Sequence, residues 1–184
     1  MKPLIDAALG DLATVLDAID PSAIQSACDR IAEADKIVLY GCGREGLQLR
    51  GLAMRLHHLG LAVSMQGDMA APPVGAGDLL IASAGPGELA TVTALMRVAR
   101  DAGAEVLFLT ATPGTPAAAL ASEILTIPAQ TMATDTGMRA QSILPMGSLY
   151  EGAIFVLFEA MVLRLREQLG ISPEAMRANH TNLE

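Results

Sequence analysis

The chain has 184 residues, a length typical of one domain, so we expect a single domain over residues 1–184. Twenty acidic against twelve basic residues give a net charge of −8, which disfavours binding to nucleic acid phosphates or to an anionic membrane surface. Hydrophobic residues make up 52% of the chain and charged residues only 17%, so we expect a homo-oligomer that buries the excess apolar surface.

Residues 3–32 predict a helical hairpin at the start of the chain. Apolar residues recur there at helical spacing in two blocks. Between the blocks, Asp20-Pro21-Ser22 is typical of one helix ending and the next beginning with proline in its first turn.

The pattern then changes to short apolar runs, which predict five strands. Amphipathic stretches at 45–59, 88–102 and 115–121 predict helices between most of them. This alternation implies an α/β fold with a parallel sheet flanked by helices, which binds ligands at the carboxyl ends of its strands. The predicted strands are 36–40, 61–66, 79–83, 106–109 and 124–127.

The last third of the chain predicts a loop and two helices. Residues 132–141 are polar and aperiodic, which indicates a loop near a site. A long helix is expected from Pro145 to about Leu169, with Gly170 just beyond its end. Ser172-Pro173-Glu174 predicts the start of a last short helix.

Composition also bears on redox state and location. Cys28 and Cys42 are too few for a disulfide framework or a four-ligand zinc site, so reduced thiols are expected. Asp6 interrupts the N-terminus before any apolar stretch of signal-peptide length, and no run of 18 apolar residues lacks proline or charge. We therefore expect a cytoplasmic protein without a membrane span.

Two glycine-rich turns follow neighbouring predicted strands. The first turn is Gly41-Cys42-Gly43-Arg44-Glu45-Gly46, and the second is Ser83-Ala84-Gly85-Pro86-Gly87-Glu88. Both carry alternate glycines and an acidic residue at a helix start. We expect the two turns to share a pocket at the edge of the sheet.

Each turn has a functional and a structural interpretation. The first turn, with Asp68 after the next strand, fits a dinucleotide-binding fingerprint, although the chain leaves no room for a substrate domain. Its glycines are more typical of a tight turn that lets a helix approach a strand. Backbone N–H groups of the second turn predict an anion-binding cradle beside Glu88; alternatively the turn is only rigid, and Glu88 complements the helix dipole.

Three further residue types have structural explanations of their own. Ser148-Leu149-Tyr150-Glu151 satisfies the capping-box pattern, in which the Glu151 carboxylate reaches back to the Ser148 N–H. His180 lies in a polar tail, where disorder is the usual state. His57-His58 stands at a helix end, which favours imidazole for structural reasons.

Five segments, in order and spread over the whole chain, carry the pattern of a known family. They are Gly41-Cys42-Gly43-Arg44, Met54 to Gly60, Gly77 to Ala82, Pro145 to Glu151 and His180 to Glu184. In these segments the chain resembles the sugar isomerase (SIS) domain family, and within it the 6-phospho-3-hexuloisomerases. The resemblance implies a doubly wound, flavodoxin-like sheet of five parallel strands and a homotetramer of tightly associated dimers.

The same resemblance implies an activity and its catalytic residues. It implies an isomerase that moves a sugar-phosphate carbonyl between C3 and C2 through an enediol, without metal or organic cofactor. Position by position, the catalytic base falls on Glu151 and the C-terminal histidine, as an acid, on His180. Arg44 falls where related isomerases keep a basic residue, and it is expected to stabilise the enediolate.

The phosphate-binding turns depart from the family pattern. Hydroxyl side chains of the family are replaced here by Glu45, Ala84, Pro86 and Leu89, and the charge of Glu45 is expected to repel a phosphate dianion. The candidate substrate-binding residues are then Gly43, Glu45, Ser83, Gly85, Gly87, Glu88, Thr110 and Thr115.

Two functions stay open on this sequence. One is an isomerase for a sugar or sugar derivative whose phosphate is absent or held differently. The other is a non-catalytic protein that binds a sugar phosphate or carbohydrate derivative as a sensor. The presence of Glu151 and His180 favours the enzyme, whereas the lost hydroxyls favour the sensor or a changed substrate.

Overall fold

Five parallel strands form one sheet, as the sequence predicts. The computed structural model describes residues 1–136 and 142–183. The strand order is β2-β1-β3-β4-β5, the doubly wound order of flavodoxin-like sheets. The strands are β1 (Ile37–Gly41), β2 (Val63–Met65), β3 (Leu79–Ser83), β4 (Glu105–Thr110) and β5 (Glu123–Thr126).

Helices cover both faces of this sheet. Alternate residues of β3 serve the two faces, with Leu79 and Ile81 in one hydrophobic core and Leu80 and Ala82 in the other. Helices α2, α3 and α5 contribute to the first core, where α1 packs against α5, and α4 and a 3₁₀ helix contribute to the second. The helices are α1 (Lys2–Asp17), α2 (Pro21–Glu33), α3 (Gly43–His58), α4 (Ala90–Asp101), α5 (Ser148–Gln168), α6 (Pro173–Ala178) and the 3₁₀ helix Pro116–Leu120.

The ends of several helices confirm their sequence signals. Asp20 caps α2 by accepting a hydrogen bond from the Ser22 N–H at 2.8 Å, and Pro21 is the first helical residue. Ser172 caps α6 in the same way, from the Ala175 N–H at 3.1 Å. Gly170 follows α5 with φ of 66°, which is the left-handed conformation expected for it.

Strand β2 is shorter than the predicted run 61–66. The Gly60 N–H bonds to the His57 carbonyl and the Leu61 N–H to the Leu56 carbonyl. Leu61 therefore belongs to the end of α3 rather than to the strand. Elsewhere the predicted helix at 115–121 is a 3₁₀ helix, and the helix predicted from 88 begins at Ala90, after the extended Leu89.

The capping box predicted at Ser148 is wrong. Met146 and Gly147 adopt left-handed conformations, with φ of 55° and 81°, so Gly147 is the N-cap and α5 begins at Ser148 rather than Pro145. The Glu151 N–H bonds to the Gly147 carbonyl, and no side chain caps this helix among the described residues. The Glu151 carboxylate is consequently not used in capping.

No helix within residues 1–136 and 142–183 combines the length and the apolar character needed to cross a membrane. The predicted loop 132–141 is described as far as Thr136 and has a turn at 132–134; residues 137–141 lie outside the described residues.

Candidate active site

The two glycine-rich turns lie side by side at the carboxyl edge of the sheet, as predicted, because Gly41 at the end of β1 is in register with Ser83 at the end of β3. In the first turn the glycines allow a backbone conformation and a close backbone contact that a side chain would prevent. Gly43 has φ of 56°, and a Cβ on Gly46 would lie 2.4 Å from the Gly41 carbonyl oxygen. These contacts support the tight-turn interpretation, and the Asp68 carboxylate accepts a local hydrogen bond from the Met65 N–H.

A cavity of about 590 Å³ opens between the first turn and the start of α5. Both turns, the segment before α5 and the first turn of α5 contribute to its wall. The lining residues are Cys42, Gly43, Arg44, Glu45, Pro86, Leu89, Thr131, Met132, Pro145, Met146, Gly147, Ser148, Tyr150 and Glu151.

Glu151 lies in the first turn of α5 and lines this cavity. Its side chain is 14% exposed, and its Oε2 lies 3.0 Å from Nε of Arg44, whose side chain is 50% exposed. Burial raises the pKa of Glu151 above its ordinary value; Arg44 opposes that rise in pKa and the negative charge of Glu45 adds to it. Burial prevails because the half-exposed guanidinium is screened by solvent.

Arg44 links the first turn to the segment that precedes α5. Besides Glu151, its guanidinium donates from Nη1 to the Ser148 hydroxyl at 3.1 Å and from Nη2 to the Met146 carbonyl. The same segment is held from α1, since an Asp11 carboxylate oxygen accepts from the Ser142 hydroxyl at 2.5 Å. The guanidinium beside Glu151 is therefore fixed in direction by three acceptors.

Glu45 also lines the cavity, and its carboxylate binds the second turn. Its Oε2 accepts from the Ser83 hydroxyl at 2.6 Å, and both carboxylate oxygens lie 3.1 Å from the Gly85 N–H. Burial raises the pKa of Glu45, and the hydrogen bonds from Ser83 and Gly85 oppose that rise. The carboxylate thus uses the donors that the sequence assigns to a bound anion.

Other predicted binding residues support the second turn instead of lining the cavity. Of the residues that the structure describes, the Gly87 N–H donates to the Ala84 carbonyl at 2.9 Å, and the Thr115 hydroxyl donates to the Gly87 carbonyl at 2.7 Å. Thr110 is buried and contacts the Gly85 carbonyl at 3.4 Å. Glu88 is exposed, outside the cavity wall.

His180 lies apart from the Glu151 cavity of its own chain. Its ring stacks on that of His58, with centroids 5.2 Å apart, and the Asn179 side-chain amide donates to the His58 carbonyl at 3.1 Å. Arg55, Arg166 and Arg177 line the same shallow pocket. Within one protomer, the structure brings Arg44 to Glu151 but does not bring His180 there.

Tyr150 and Thr131 line the cavity but are not among the site residues predicted from the sequence. The buried Tyr150 places its hydroxyl 3.2 Å from the Ser83 hydroxyl, and burial raises the pKa of Tyr150 well above its ordinary value. Thr131 has a buried Oγ1 without a hydrogen-bond partner in residues 1–136 and 142–183. The position of Tyr150 beside Glu151 on α5 was a signal for the first; the sequence holds none for the second.

Among the described residues, the charged side chains that line this cavity are Arg44, Glu45 and Glu151. In the part of the chain that the structure describes, no three His, Cys, Asp or Glu side chains are grouped closely enough to hold a metal ion. The arrangement offers a carboxylate of raised pKa beside a fixed guanidinium. That combination suits proton transfer at a carbon next to a carbonyl.

Comparisons with known proteins bear on this geometry. The family model described as SIS domain matches residues 30–155. The 3-hexulose-6-phosphate isomerase of Mycobacterium gastri is 36% identical over 166 residues, which cover 90% of this chain and 82% of the relative. The enzyme of the same name from Bacillus subtilis (strain 168) is 33% identical over 156 residues, with coverage of 85% and 84%.

A solved structure shares the fold along its whole length. It is a hypothetical protein from Methanococcus jannaschii for which a molecular function of 3-hexulose-6-phosphate isomerase was inferred. The TM-score is 0.84 at 23% sequence identity, and the alignment covers 98% of each chain.

Proposed function

The chain belongs to the SIS domain family, and we propose that it is a ketose isomerase that moves a carbonyl between C3 and C2 of a hexulose. The observation that carries the proposal is Glu151, a partly buried carboxylate of raised pKa held against Arg44 in the cavity. Relatives named 3-hexulose-6-phosphate isomerase at 36% and 33% identity support the reaction type.

In the proposed mechanism, Glu151 is the catalytic base. Its carboxylate removes the proton from C2 of a 3-ketose, the electron pair of that C–H bond forms the C2=C3 bond, and the carbonyl oxygen becomes an enediolate oxygen. A proton passes between the two oxygens, and Glu151 returns its proton to C3. Atoms and electrons balance within the sugar, so no oxidant or reductant is required.

Arg44 stabilises the negative charge of the enediolate. The guanidinium is already oriented by Glu151, Ser148 and Met146, so little reorganisation is needed when that charge develops. Arg44 also opposes the rise that burial causes in the Glu151 pKa, and it thereby favours the ionised carboxylate that acts as the base.

We also propose that the phosphate site expected from the family pattern is changed in this chain. The donors Ser83 and Gly85 are bound to Glu45, and Pro86 and Leu89 line the cavity without a side-chain donor. A phosphate group would therefore meet a carboxylate in the position where it needs hydrogen-bond donors.

We further propose that the acid is His180 of a neighbouring subunit in a homotetramer. His180 lies outside the Glu151 cavity of its own chain, and helices α1 and α5 expose large apolar side chains that association would bury. These are Leu4, Ile5, Leu9, Phe155, Val156 and Leu163.

Mixed oligomers test the role of His180. We expect His180→Ala and Glu151→Gln to be impaired alone and to recover activity when subunits of the two variants are mixed, because some sites then combine both native residues. Light scattering checks the assembly. A monomer at micromolar concentration, or no recovery in mixtures of confirmed composition, would refute the shared site.

Solvent deuterium exchange tests the reaction itself. In D₂O, the wild type should introduce deuterium at C3 of fructose or of fructose 6-phosphate, and Glu151→Gln should lower that rate about 10²-fold to 10⁴-fold with an unchanged Tm. Glu167→Gln, an exposed position on the same helix, is the control. Exchange that persists in Glu151→Gln excludes Glu151 as the base.

The same experiment distinguishes the isomerase from the second candidate function, a non-catalytic sensor that binds a sugar phosphate or carbohydrate derivative. Its expected result is a ligand-induced rise in Tm for the wild type without deuterium exchange into either sugar. That outcome would contradict the isomerase proposal.

A further inference from the structure

A carboxylate of the protein occupies the position at the second turn where the sequence predicts a bound anion. The Ser83 hydroxyl and the Gly85 N–H both donate to Glu45, at 2.6 Å and 3.1 Å. A Cβ added to Gly85 would lie 3.1 Å from Glu45 Oε1, so the carboxylate packs directly against this turn. A substrate phosphate cannot use these donors while Glu45 holds them.

Glu45 nevertheless retains hydrogen-bonding capacity toward the cavity that it lines. Among the described residues, Oε2 accepts from Ser83 and Gly85, whereas Oε1 accepts from Gly85 alone. Two carboxylate oxygens offer about four lone-pair positions, so Oε1 can accept a further hydrogen bond. A sugar hydroxyl can donate that further hydrogen bond to Oε1, whereas a phosphate dianion has no proton to donate.

The charges around the cavity also favour a sugar hydroxyl over a phosphate group. Arg44 is the cation among the described lining residues, and its guanidinium is bound to Glu151, Ser148 and Met146. A phosphate here would face Glu45 and Glu151 with no uncommitted cation in the described wall. An uncharged hydroxyl avoids that repulsion.

The shape of the wall next to Glu45 also suits a neutral sugar end. Pro86 and Leu89 line the cavity where the second turn ends, and they supply apolar contacts without side-chain donors. Thr131 flanks the same turn, because a Cβ on Gly85 would lie 3.2 Å from its Cγ2. A hydroxymethyl group satisfies this wall, with its carbon against apolar side chains and its hydroxyl toward Glu45.

On these observations, and resting on the proposed isomerase function, we propose that the substrate is a ketose without a phosphate group. Glu45 is the specificity-determining residue: it accepts a hydrogen bond from the terminal hydroxyl of the sugar and excludes a terminal phosphate. Glu45 thereby acts on substrate choice, while Glu151 acts on the carbon-bound proton.

The test compares fructose with fructose 6-phosphate as probes of deuterium exchange at C3. For the wild type, kcat/KM should favour fructose about 100-fold, since like charges in contact are strongly unfavourable. Glu45→Ser, which restores the residue of the phosphate-binding family pattern and frees the donors, should shift that ratio toward fructose 6-phosphate about tenfold or more. Glu45→Gln should shift it in the same direction by less.

A control variant and a direct binding measurement accompany the exchange experiment. Glu167→Gln should leave the substrate ratio unchanged. Saturation-transfer NMR of both sugars on Glu151→Gln measures binding without turnover, and it should show fructose bound more tightly than fructose 6-phosphate. If Glu45→Ser does not fold, the wild-type ratio and Glu45→Gln decide the outcome.

The two proposals fail in different ways. A wild type that exchanges fructose 6-phosphate faster than fructose, with a ratio insensitive to both Glu45 variants, overturns the role of Glu45 and leaves the isomerase intact. Absence of exchange with either sugar overturns the isomerase function, and the binding measurement then still reports which sugar the cavity selects.

Discussion

Two glutamates line one cavity, and their surroundings differ. Glu45 is held by the Ser83 hydroxyl and the Gly85 N–H, both of them buried donors. Glu151 is held by an ion pair with a half-exposed arginine. Burial raises the pKa of both carboxyl groups, but only Glu151 lacks hydrogen bonds from the backbone or a buried hydroxyl among the described residues.

Different surroundings thus give these two identical side chains different roles. A carboxylate held by several donors is positioned and slow to rearrange, which suits recognition. A carboxylate with one exchangeable partner can turn toward a carbon-bound proton and accept it. The following changes should separate or merge these two roles.

Of the changes at Arg44, Glu45 and Ser148, Arg44→Leu should have the largest effect. Loss of the guanidinium should lower kcat about 100-fold, because the enediolate loses its electrostatic partner. Since Arg44 lowers the Glu151 pKa and the base acts when deprotonated, the acid limb of the pH profile of kcat/KM should move to higher pH.

The control for this change is Arg97→Leu, an exposed arginine on α4, which should leave the profile in place. An acid limb that stays where it is, or moves to lower pH, in Arg44→Leu would show that Arg44 does not act on Glu151.

Glu45→Gln should have a smaller effect, which appears in the pH dependence of the free energy of unfolding. The fold raises the pKa of Glu45, so it favours the neutral form; that contribution is full below the pKa of the unfolded chain and is lost as pH rises through the folded-state pKa. Glutamine cannot ionise, and Glu151 is present in both proteins.

Urea unfolding at pH 4.5 and pH 7.5 measures this difference. The free energy of unfolding of the wild type, less that of Glu45→Gln, should be more positive at pH 4.5 than at pH 7.5. The reverse order would mean that Glu45 is stabilised as an anion, mainly by Ser83 and Gly85.

Ser148→Ala should have the smallest effect. Its hydroxyl contacts the half-exposed Arg44 and caps no helix, so we expect a loss of about 0.5 kcal/mol or less in the free energy of unfolding. Asp20→Ala, which removes a true N-cap from α2, should cost about 1 kcal/mol. Equal losses would restore the capping-box interpretation at Ser148.

Much of the fold could be predicted from the sequence because its signals are local. The apolar run of β3 and the caps at Asp20 and Ser172 each depend on residues close in the chain. The start of α5 was missed because Met146 adopts a left-handed conformation that non-glycine residues rarely take.

The candidate site was predicted less completely because its contacts join distant segments. Arg44 and Glu151 were both identified, but their pairing depends on how α3 and α5 pack. The sequence predicts that Glu45 repels a phosphate; that it also binds Ser83 and Gly85 follows from the register of β1 and β3. The stacking of His180 on His58 joins the C-terminal tail to α3, which local patterns do not encode. The cytoplasmic location stays a prediction.

The division of work between the two glutamates is the central claim, and a kinetic comparison of Glu151→Gln with Glu45→Gln tests it directly. Deuterium exchange at C3 is measured over a range of fructose and fructose 6-phosphate concentrations. Glu151→Gln should lower kcat for both sugars with little change in KM, whereas Glu45→Gln should change the ratio of their KM values and largely retain kcat. The same pattern of kcat and KM changes in both variants would contradict the claim.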